Sequence, residues 1–213
     1  MRRYDYGVKE WQLGSGVVLR SATLADVPSL LAICLQTADS GKDASNLHNL
    51  PDLVGEIYAA PYAIYEPDFA FVLVANDRQV GYVLGALDTS KFEAVLEVKY
   101  WPRTKAKYES ISTELLAHDV ELLGELDKQG SSDPAIISKY PSHLHIDIIE
   151  SHQGVGYGKA MIEHLLNELR IAGSRGVHLH MAATNDRALN FYTKFGFTEI
   201  HSDENEKILA LTF

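Results

Sequence analysis

The octapeptide QGVGYGKA at residues 153–160 decides how the rest of the chain is interpreted. Three of its residues are glycines at alternate positions, and glycine lacks the Cβ atom that would keep an anion away from backbone N–H groups. An apolar series with helical spacing follows, from Ile162 to Leu169, so the loop opens a helix whose first N–H groups and positive dipole end attract anions. The octapeptide therefore predicts a binding site for a phosphate or pyrophosphate group.

Two common phosphate-binding motifs do not fit this octapeptide. A Walker A loop needs glycine at position 153 and serine or threonine at position 160, where the chain has Gln153 and Ala160, so the metal-binding hydroxyl is missing. A dinucleotide fingerprint needs a third glycine at position 159, which is Lys159, and it normally opens the first βαβ unit of a domain. Nucleotide hydrolysis and dinucleotide binding are therefore disfavoured.

The pattern Gln-x-x-Gly-x-Gly, formed by Gln153, Gly156 and Gly158, resembles the coenzyme A pyrophosphate loop of the GNAT superfamily of N-acetyltransferases. Residues 185–197, NDRALNFYTKFGF, resemble the second cofactor segment of that superfamily. Both motifs occur in the family's order and spacing. This resemblance implies acetyl-CoA as co-substrate.

A closer resemblance is to the acetyltransferase-like C-terminal domain of O-GlcNAcases and to its free-standing microbial relatives. It is carried by residues 140–148 (YPSHLHIDI), 173–176 (GSRG) and 185–197. It implies an α/β GNAT fold with a central mixed and mostly antiparallel sheet flanked by helices. It also implies an acetyl-CoA-dependent N-acetyltransferase that acts on a primary amine by direct attack in a ternary complex. A non-catalytic acetyl-CoA-binding or interaction module is the alternative, because some members of this family lack a usable cofactor loop.

Hydrophobic patterns along the chain predict the elements of such a fold. Strands are expected at residues 17–20, 69–75, 80–87, 143–149, 177–182 and 207–212, with a turn at 76–79. Helices are expected after a capping box formed by Thr23 and Asp26, at 111–128, from the glycine loop to Gly173, and at 186–195. The charged stretch at residues 89–140, between the third and fourth of these strands, is interpreted as an insertion. No repeat or linker divides the chain, so a single GNAT acetyltransferase domain over residues 1–213 is expected.

The GNAT resemblance also implies the cofactor contacts. The strand near Ile148 would pair its backbone with the pantetheine arm, and Tyr192 would lie near the cofactor sulfur, where its hydroxyl can donate a proton to the departing thiolate. The implied cofactor residues are Ile148, Ile149, Gln153, Gly154, Val155, Gly156, Tyr157, Gly158, Lys159, Asn185, Ala188 and Tyr192. The competing interpretation of Tyr192 is packing on its helix face with Leu189.

His143, His145 and Asp147 alternate along one predicted strand, so their side chains share a face. An amine acceptor is mostly protonated at neutral pH and must lose a proton before it can attack, which makes Asp147 and His145 the candidate bases. We expect His143 to be a hydrogen-bonded structural residue. A metal site is not expected, because neighbouring side chains on one strand face are about 6.6 Å apart.

The amino-acid composition limits the classes of molecule that the protein can be expected to bind. The 213 residues include 19 Lys and Arg against 29 Asp and Glu, a net charge of -10, which disfavours nucleic acid and anionic membranes and favours a cationic acceptor. The single cysteine, Cys34, cannot form an internal disulfide, and no run of about eighteen uncharged apolar residues occurs. We therefore expect a cytoplasmic monomer or homodimer that acts on a small-molecule amine or a lysine-bearing acceptor. Residues 46–65 and the insertion would recognise that acceptor.

Overall fold

A computed structural model describes residues 9–127 and 132–213 of the chain. Within these ranges eight strands form one sheet: β1 Glu10–Gly14, β2 Val17–Ser21, β3 Ala70–Ala75, β4 Arg78–Ala86, β5 Ser142–Ile148, β6 Gly176–Ala182, β7 Thr198–Ser202 and β8 Glu206–Thr212. The order is β1-β2-β3-β4-β5-β6-β8-β7, with β5 and β6 parallel and the other neighbouring pairs antiparallel. The predicted mixed, mostly antiparallel sheet is confirmed.

Helices cover both faces of this sheet. They are α1 Val27–Leu35, α2 Leu53–Tyr58, α3 Ala60–Tyr65, α4 Thr89–Lys99, α5 Trp101–Tyr108, α6 Ala117–Asp127, α7 Pro134–Lys139, α8 Tyr157–Ile171 and α9 Asp186–Thr193. The capping box predicted before α1 is present, and the N–H and hydroxyl of Thr23 both donate to the carboxylate of Asp26. No helix of the described residues is long and apolar enough to cross a membrane.

The two sheet faces bury separate apolar clusters because successive strand residues point in opposite directions. On one face, Tyr82 and Leu84 of β4 pack under α1, α2 and the helices of the insertion. On the other face, Val83 packs with the buried leucines of α8, among them Leu165. The insertion residue Trp101 lies in the same cluster as α1 and α2, so the insertion extends the core on that face.

Two edge strands were not predicted. β1 and β7 lie at the ends of the sheet, where one side of each strand has no neighbouring strand among the described residues. Every residue of β7 is exposed, so its sequence lacks the apolar alternation that marks a half-buried strand. The insertion lies between the two strands that the sequence predicts on either side of it. Because β1 precedes the first predicted strand, these are the fourth and fifth strands of the sheet, β4 and β5.

The other element boundaries can be compared with those that the sequence predicts. The turn between β3 and β4 has two residues, Asn76 and Asp77, rather than four, and both adopt positive φ as a type I′ hairpin requires. The acidic helix of the insertion is α6, which begins at Ala117 instead of residue 111, and the predicted end at Lys128 lies outside the described residues. The predicted end of α8 is confirmed, since it stops at Ile171 and Gly173 adopts φ +91°.

Candidate functional site

The sheet opens between β5 and β6. The two parallel strands pair only at Ser142 with Val177 and at His143 with His178, and they separate beyond these residues. The N–H of Ile149 donates to the carbonyl oxygen of Val80 in β4. Because the backbone groups of successive strand residues point to opposite sides, the N–H and carbonyl of Ile148 point away from β4 and toward the opening. The opening thus exposes strand backbone that can hydrogen bond to a ligand.

The glycine loop lies at the mouth of this opening. Gly154 and Gly156 adopt φ +77° and +98°, and a Cβ atom at either position would meet no atom within 4 Å. Among the described residues, the backbone N–H groups of residues 154–159 have no acceptor. A row of free N–H groups at the start of a 15-residue helix forms a cradle for an anion, and the predicted pyrophosphate fits its chemistry.

The Gln153 side chain holds the loop in place. Its Nε2 donates to the carbonyl oxygen of Ile148 at 2.6 Å and to that of Gly41 at 3.2 Å, and its Oε1 accepts from Arg187 at 2.7 Å. One amide therefore connects the end of β5, the segment after α1 and the start of α9. Gln153 organises the backbone around the anion cradle, in addition to any contact with a ligand.

Two predicted residues of the second cofactor segment occupy the start and the body of α9. Asn185 caps α9, since its Oδ1 accepts from the N–H of Ala188 at 3.0 Å. Tyr192 is 8% exposed, and its hydroxyl has no hydrogen-bond partner within residues 9–127 and 132–213. Burial, and next the charge of Asp147, raise the pKa of Tyr192 well above its usual range, so its phenol keeps its proton at neutral pH.

One large cleft, of about 2120 Å³, joins the cradle, the opening and the insertion helices. The predicted site residues that line it are His145, Asp147, Ile148, Gln153, Gly154, Gly156, Gly158, Lys159, Asn185, Ala188 and Tyr192. The side chains of Ile149, Val155 and Tyr157 do not line it. Ile149 and Tyr157 pack against the apolar clusters, and Val155 is 66% exposed to solvent, so Val155 and Tyr157 contribute backbone N–H groups only.

A hydrogen-bonded group of three side chains lies beside the opening. Asp147 Oδ2 accepts from the hydroxyl of Tyr82 at 2.5 Å and contacts Nε2 of His145 at 2.9 Å, and the same His145 nitrogen lies 3.1 Å from the Tyr82 oxygen. Burial alone would lower the pKa of His145, but the charge and hydrogen bond of Asp147 outweigh it and raise that pKa to about 10. At neutral pH the His145 ring is therefore protonated.

His143 has the structural role expected of it. Thr89 donates its hydroxyl proton to the carbonyl of Pro141, so its oxygen accepts from Nδ1–H of His143 at 2.8 Å. Nε2 then accepts from the Tyr62 hydroxyl, also at 2.8 Å. Burial lowers the pKa of His143 to about 3, and this neutral ring has both nitrogens occupied.

Three side chains in or directly beneath the cleft were not identified from the sequence. Tyr82 lies directly opposite Asp147 in the β4–β5 register, and Tyr58 stacks over His145 with ring centroids 6.3 Å apart. Cys34 of α1 faces the same group. Tyr82 could have been identified from the sequence if the register between β4 and β5 had been predicted. No local sequence pattern indicates that α1 or α2 lies at the site.

Charge is distributed unevenly along the cleft. Among the described residues that line it, the basic side chains are Lys159, Arg187 and Lys194, from α8, α9 and the residue after α9. The insertion helices α4 and α6 contribute four carboxylates to the described lining, Glu93, Glu97, Glu121 and Glu125, and no Lys or Arg. Glu163, Asp203 and Glu206 line the cleft elsewhere. The insertion side of the cleft therefore suits a cationic ligand.

Known proteins are similar to this chain in sequence or in fold. The protein O-GlcNAcase of Rattus norvegicus is 27% identical over 177 residues, which cover 82% of this chain but 19% of that protein, so the chain spans about a fifth of its length. The PaiA N-acetyltransferase of Thermoplasma acidophilum, solved with coenzyme A, has a TM-score of 0.54 at 11% identity, covering 92% of this chain and 99% of the other. That likeness shows the fold alone.

Two further comparisons show the family. The family model described as "Acetyltransferase (GNAT) family" matches residues 133–197, which include β5, the glycine loop and α9. The crystal structure of SsHAT superposes with a TM-score of 0.82 and 33% identity, and the match covers 92% of this chain and 98% of SsHAT. With this identity over nearly the whole of both chains, the protein belongs to the GNAT acetyltransferase family.

Proposed function

We propose that this protein is an acetyl-CoA-dependent N-acetyltransferase, a single domain over residues 1–213 that acetylates a cationic primary amine by direct transfer. One observation carries the proposal: the anion cradle of residues 154–159 and the proton-accepting group around Asp147 flank the same opening beside β5. A donor held by its phosphates and a base for the acceptor are the two requirements of direct acetyl transfer.

The cradle supports acetyl-CoA as the donor. Residues 154–159 offer free N–H groups to the pyrophosphate, and the basic side chains on α8 and α9 favour the cofactor's remaining negative charge. The backbone N–H of Ile148, which points into the opening, can donate to the thioester carbonyl oxygen as negative charge develops there.

Replacing Gly156 by Ala is expected to lower the affinity for acetyl-CoA at least about tenfold. An alanine is strained at φ +98°, so the loop must change its backbone conformation and the N–H groups no longer converge. Gly173→Ala is the matched control, because Gly173 has φ +91°, equally open surroundings and a position at the other end of the same helix. Both variants should lose similar stability, and equal loss of affinity in isothermal titration calorimetry would contradict the role of the cradle.

Asp147 is assigned as the base. His145 is protonated at neutral pH and cannot accept a proton, whereas Oδ1 of Asp147 has no hydrogen-bond partner among the described residues. In the transfer, the protonated acceptor first gives one proton to Asp147, directly or through water, which frees the lone pair of its nitrogen. The nitrogen then bonds to the acetyl carbon and releases its second proton to solvent, while the carbon–sulfur bond breaks and the thiolate receives a proton from Tyr192. Asp147 returns its proton to solvent and Tyr192 is reprotonated from solvent, which restores the enzyme. Atoms and charges balance without a covalent enzyme intermediate.

Tyr192→Phe is expected to lower kcat by about tenfold and to leave acetyl-CoA affinity within about twofold. The effect is smaller than is usual for a general acid, because a thiolate, with a conjugate-acid pKa near 8.5, leaves readily without protonation. Phe197→Leu serves as the control, since Phe197 packs against the Tyr192 ring but carries no hydroxyl. Steady-state release of free thiol measures kcat, and an unchanged value in Tyr192→Phe would remove Tyr192 from the mechanism.

The insertion side of the cleft supports a cationic acceptor. With Glu97 and Glu121 both changed to Gln, kcat/KM for a linear diamine should fall about tenfold, and kcat/KM for a monoamine of equal length with a neutral tail should not change. Glu163→Gln is the control, because Glu163 lines the cofactor end and faces Lys159 at 3.7 Å. Preferred turnover of anionic or neutral amines by the unaltered protein would contradict the cationic acceptor.

Calorimetry with acetyl-CoA, followed by free-thiol release over a panel of diamines, amino sugars and lysine peptides, tests the function as a whole. Binding followed by acceptor-dependent release supports the enzyme. Binding without release for any acceptor favours a non-catalytic module that keeps the cofactor loop, and absence of binding contradicts both.

A further inference from the structure

Three metal-ligating side chains converge where α1 crosses β5. Cys34 reaches the site from α1, and His145 and Asp147 reach it from β5, with one ligand atom of each within 4.8 Å of the others. Cys34 is 3% exposed, while the side chains of His145 and Asp147 are 33% and 20% exposed and face the cleft. A sulfur, a nitrogen and an oxygen therefore surround one point that is closed on the α1 side and open to the cleft.

We propose that Cys34, His145 and Asp147 form a binding site for a thiophilic divalent ion, with Zn²⁺ as the best match. Three protein ligands from the set Cys, His and Asp, with a fourth position left open, are the arrangement of accessible zinc sites. A tetrahedral Zn²⁺ with these ligands needs donor separations of about 3.3–3.7 Å. The His145 and Asp147 atoms are now 2.9 Å apart and every pair in the group lies within 4.8 Å, so side-chain movements of about 1 Å reach that range.

Strand spacing does not keep the side chains of His145 and Asp147 from converging on one ion. The spacing of about 6.6 Å along a strand describes the backbone positions of His145 and Asp147. Their side chains lean together until Nε2 and Oδ2 are 2.9 Å apart, and the third ligand comes from a different element. A set built from β5 and α1 cannot be identified from spacing within one strand.

Other histidines near the cleft are less available to an ion. Both nitrogens of His143 have hydroxyl partners, and Nδ1 of His178 contacts the carbonyl of Tyr140 at 2.8 Å. His180 pairs with Glu206 at the exposed end of β6. Among the described residues, the Cys34 group is the one set of three or more such side chains whose ligand atoms converge.

Tyr82 prepares the carboxylate for such a role. Its fully buried hydroxyl donates to Oδ2 of Asp147 at 2.5 Å, which fixes the orientation of the carboxylate beside His145. Hydrogen bonds of this kind orient metal-binding carboxylates and strengthen binding in known sites.

Metal binding has a defined proton balance. Zn²⁺ would bond to the Cys34 sulfur, a His145 nitrogen and an Asp147 oxygen, and one proton each from the thiol and the imidazolium would pass to solvent. No electron is transferred. If Asp147 is the base of the proposed acetyl transfer, as that proposal holds, bound metal and proton acceptance exclude each other, so the ion would act as an inhibitor.

Titration of the reduced, metal-free protein with Co²⁺ tests the site. A thiolate ligand gives an intense near-ultraviolet charge-transfer band, and tetrahedral Co²⁺ gives strong visible bands. We expect both at one equivalent, with Zn²⁺ displacing the cobalt. Cys34→Ser should abolish the charge-transfer band, and Asp147→Asn should weaken binding at least about tenfold. His180→Gln, which removes an exposed histidine of another acidic pair, should change nothing.

Absence of a thiolate band in the unaltered protein would overturn the proposal, as would its persistence in Cys34→Ser or unweakened binding in Asp147→Asn. A cooperative thermal unfolding transition is the test that each variant is folded. If Cys34→Ser does not fold, Asp147→Asn still tests the ligand set. Because cobalt spectra do not depend on acetyl transfer, failure of the metal site and failure of the enzymatic proposal are separate results.

Discussion

Asp147→Asn is expected to lower kcat by about 10³-fold and to change acetyl-CoA affinity by less than about twofold. Asparagine has the same shape and can still accept from the Tyr82 hydroxyl, so the geometry of the group is kept. Its amide cannot accept the proton that the acceptor nitrogen must lose before it can bond to the acetyl carbon. The loss should therefore appear in kcat, measured with saturating donor and acceptor, while calorimetric binding of acetyl-CoA is retained.

A second acidic residue of the cleft provides the control. Asp203 lies next to His201 at 3.7 Å, accepts backbone hydrogen bonds from Asn205 and Glu206, and lines the same cleft. Asp203→Asn removes one negative charge from the cleft and keeps an acceptor oxygen, so its kcat should stay within about threefold of the unaltered protein. A comparable loss in both variants would show that cleft charge, rather than proton transfer at Asp147, sets the rate.

The cofactor half of the site could be predicted from sequence because its parts are local. The glycine loop leads directly into α8, and Asn185 and Tyr192 lie within one short helix at its cap and in its body. Local motifs of this kind place backbone N–H groups and side chains without knowledge of distant contacts. The role of Gln153 as a bridge to Gly41 and Arg187 was the exception, since it depends on three separate elements.

The acceptor half could not be predicted because packing between distant segments assembles it. Tyr58 on α2 and Cys34 on α1 reach His145 only when these helices cover β4 and β5. The insertion is held beside them by Asp119, which is fully buried and accepts from the N–H groups of Asn49 and Leu50. Such contacts leave no periodic pattern in either segment, so the sequence indicated which segments line this part of the cleft but not which side chains.

The α1–α2 contact leads to the second large expected effect, in Gly55→Ala. Gly55 lies in α2 so close to α1 that an added Cβ would be 2.6 Å from the Cα and 2.8 Å from the Cδ2 of Leu31. Backbone cannot move aside as a flexible side chain can, so the two helices must separate. The free energy of unfolding should fall by about 2–3 kcal/mol, about a hundredfold in the equilibrium, as measured by urea denaturation.

Gly124→Ala, in the middle of α6, is the matched control, because no atom lies within 4 Å of its added Cβ. It should raise the free energy of unfolding by about 0.5–1 kcal/mol through helix propensity alone. Since α1 and α2 carry Cys34 and Tyr58 but not the glycine loop, folded Gly55→Ala should also show a raised KM for the acceptor and an unchanged affinity for acetyl-CoA. If both ligands bind as before, the α1–α2 contact supports stability without shaping the acceptor end, and the cleft depends on β5 and the insertion instead.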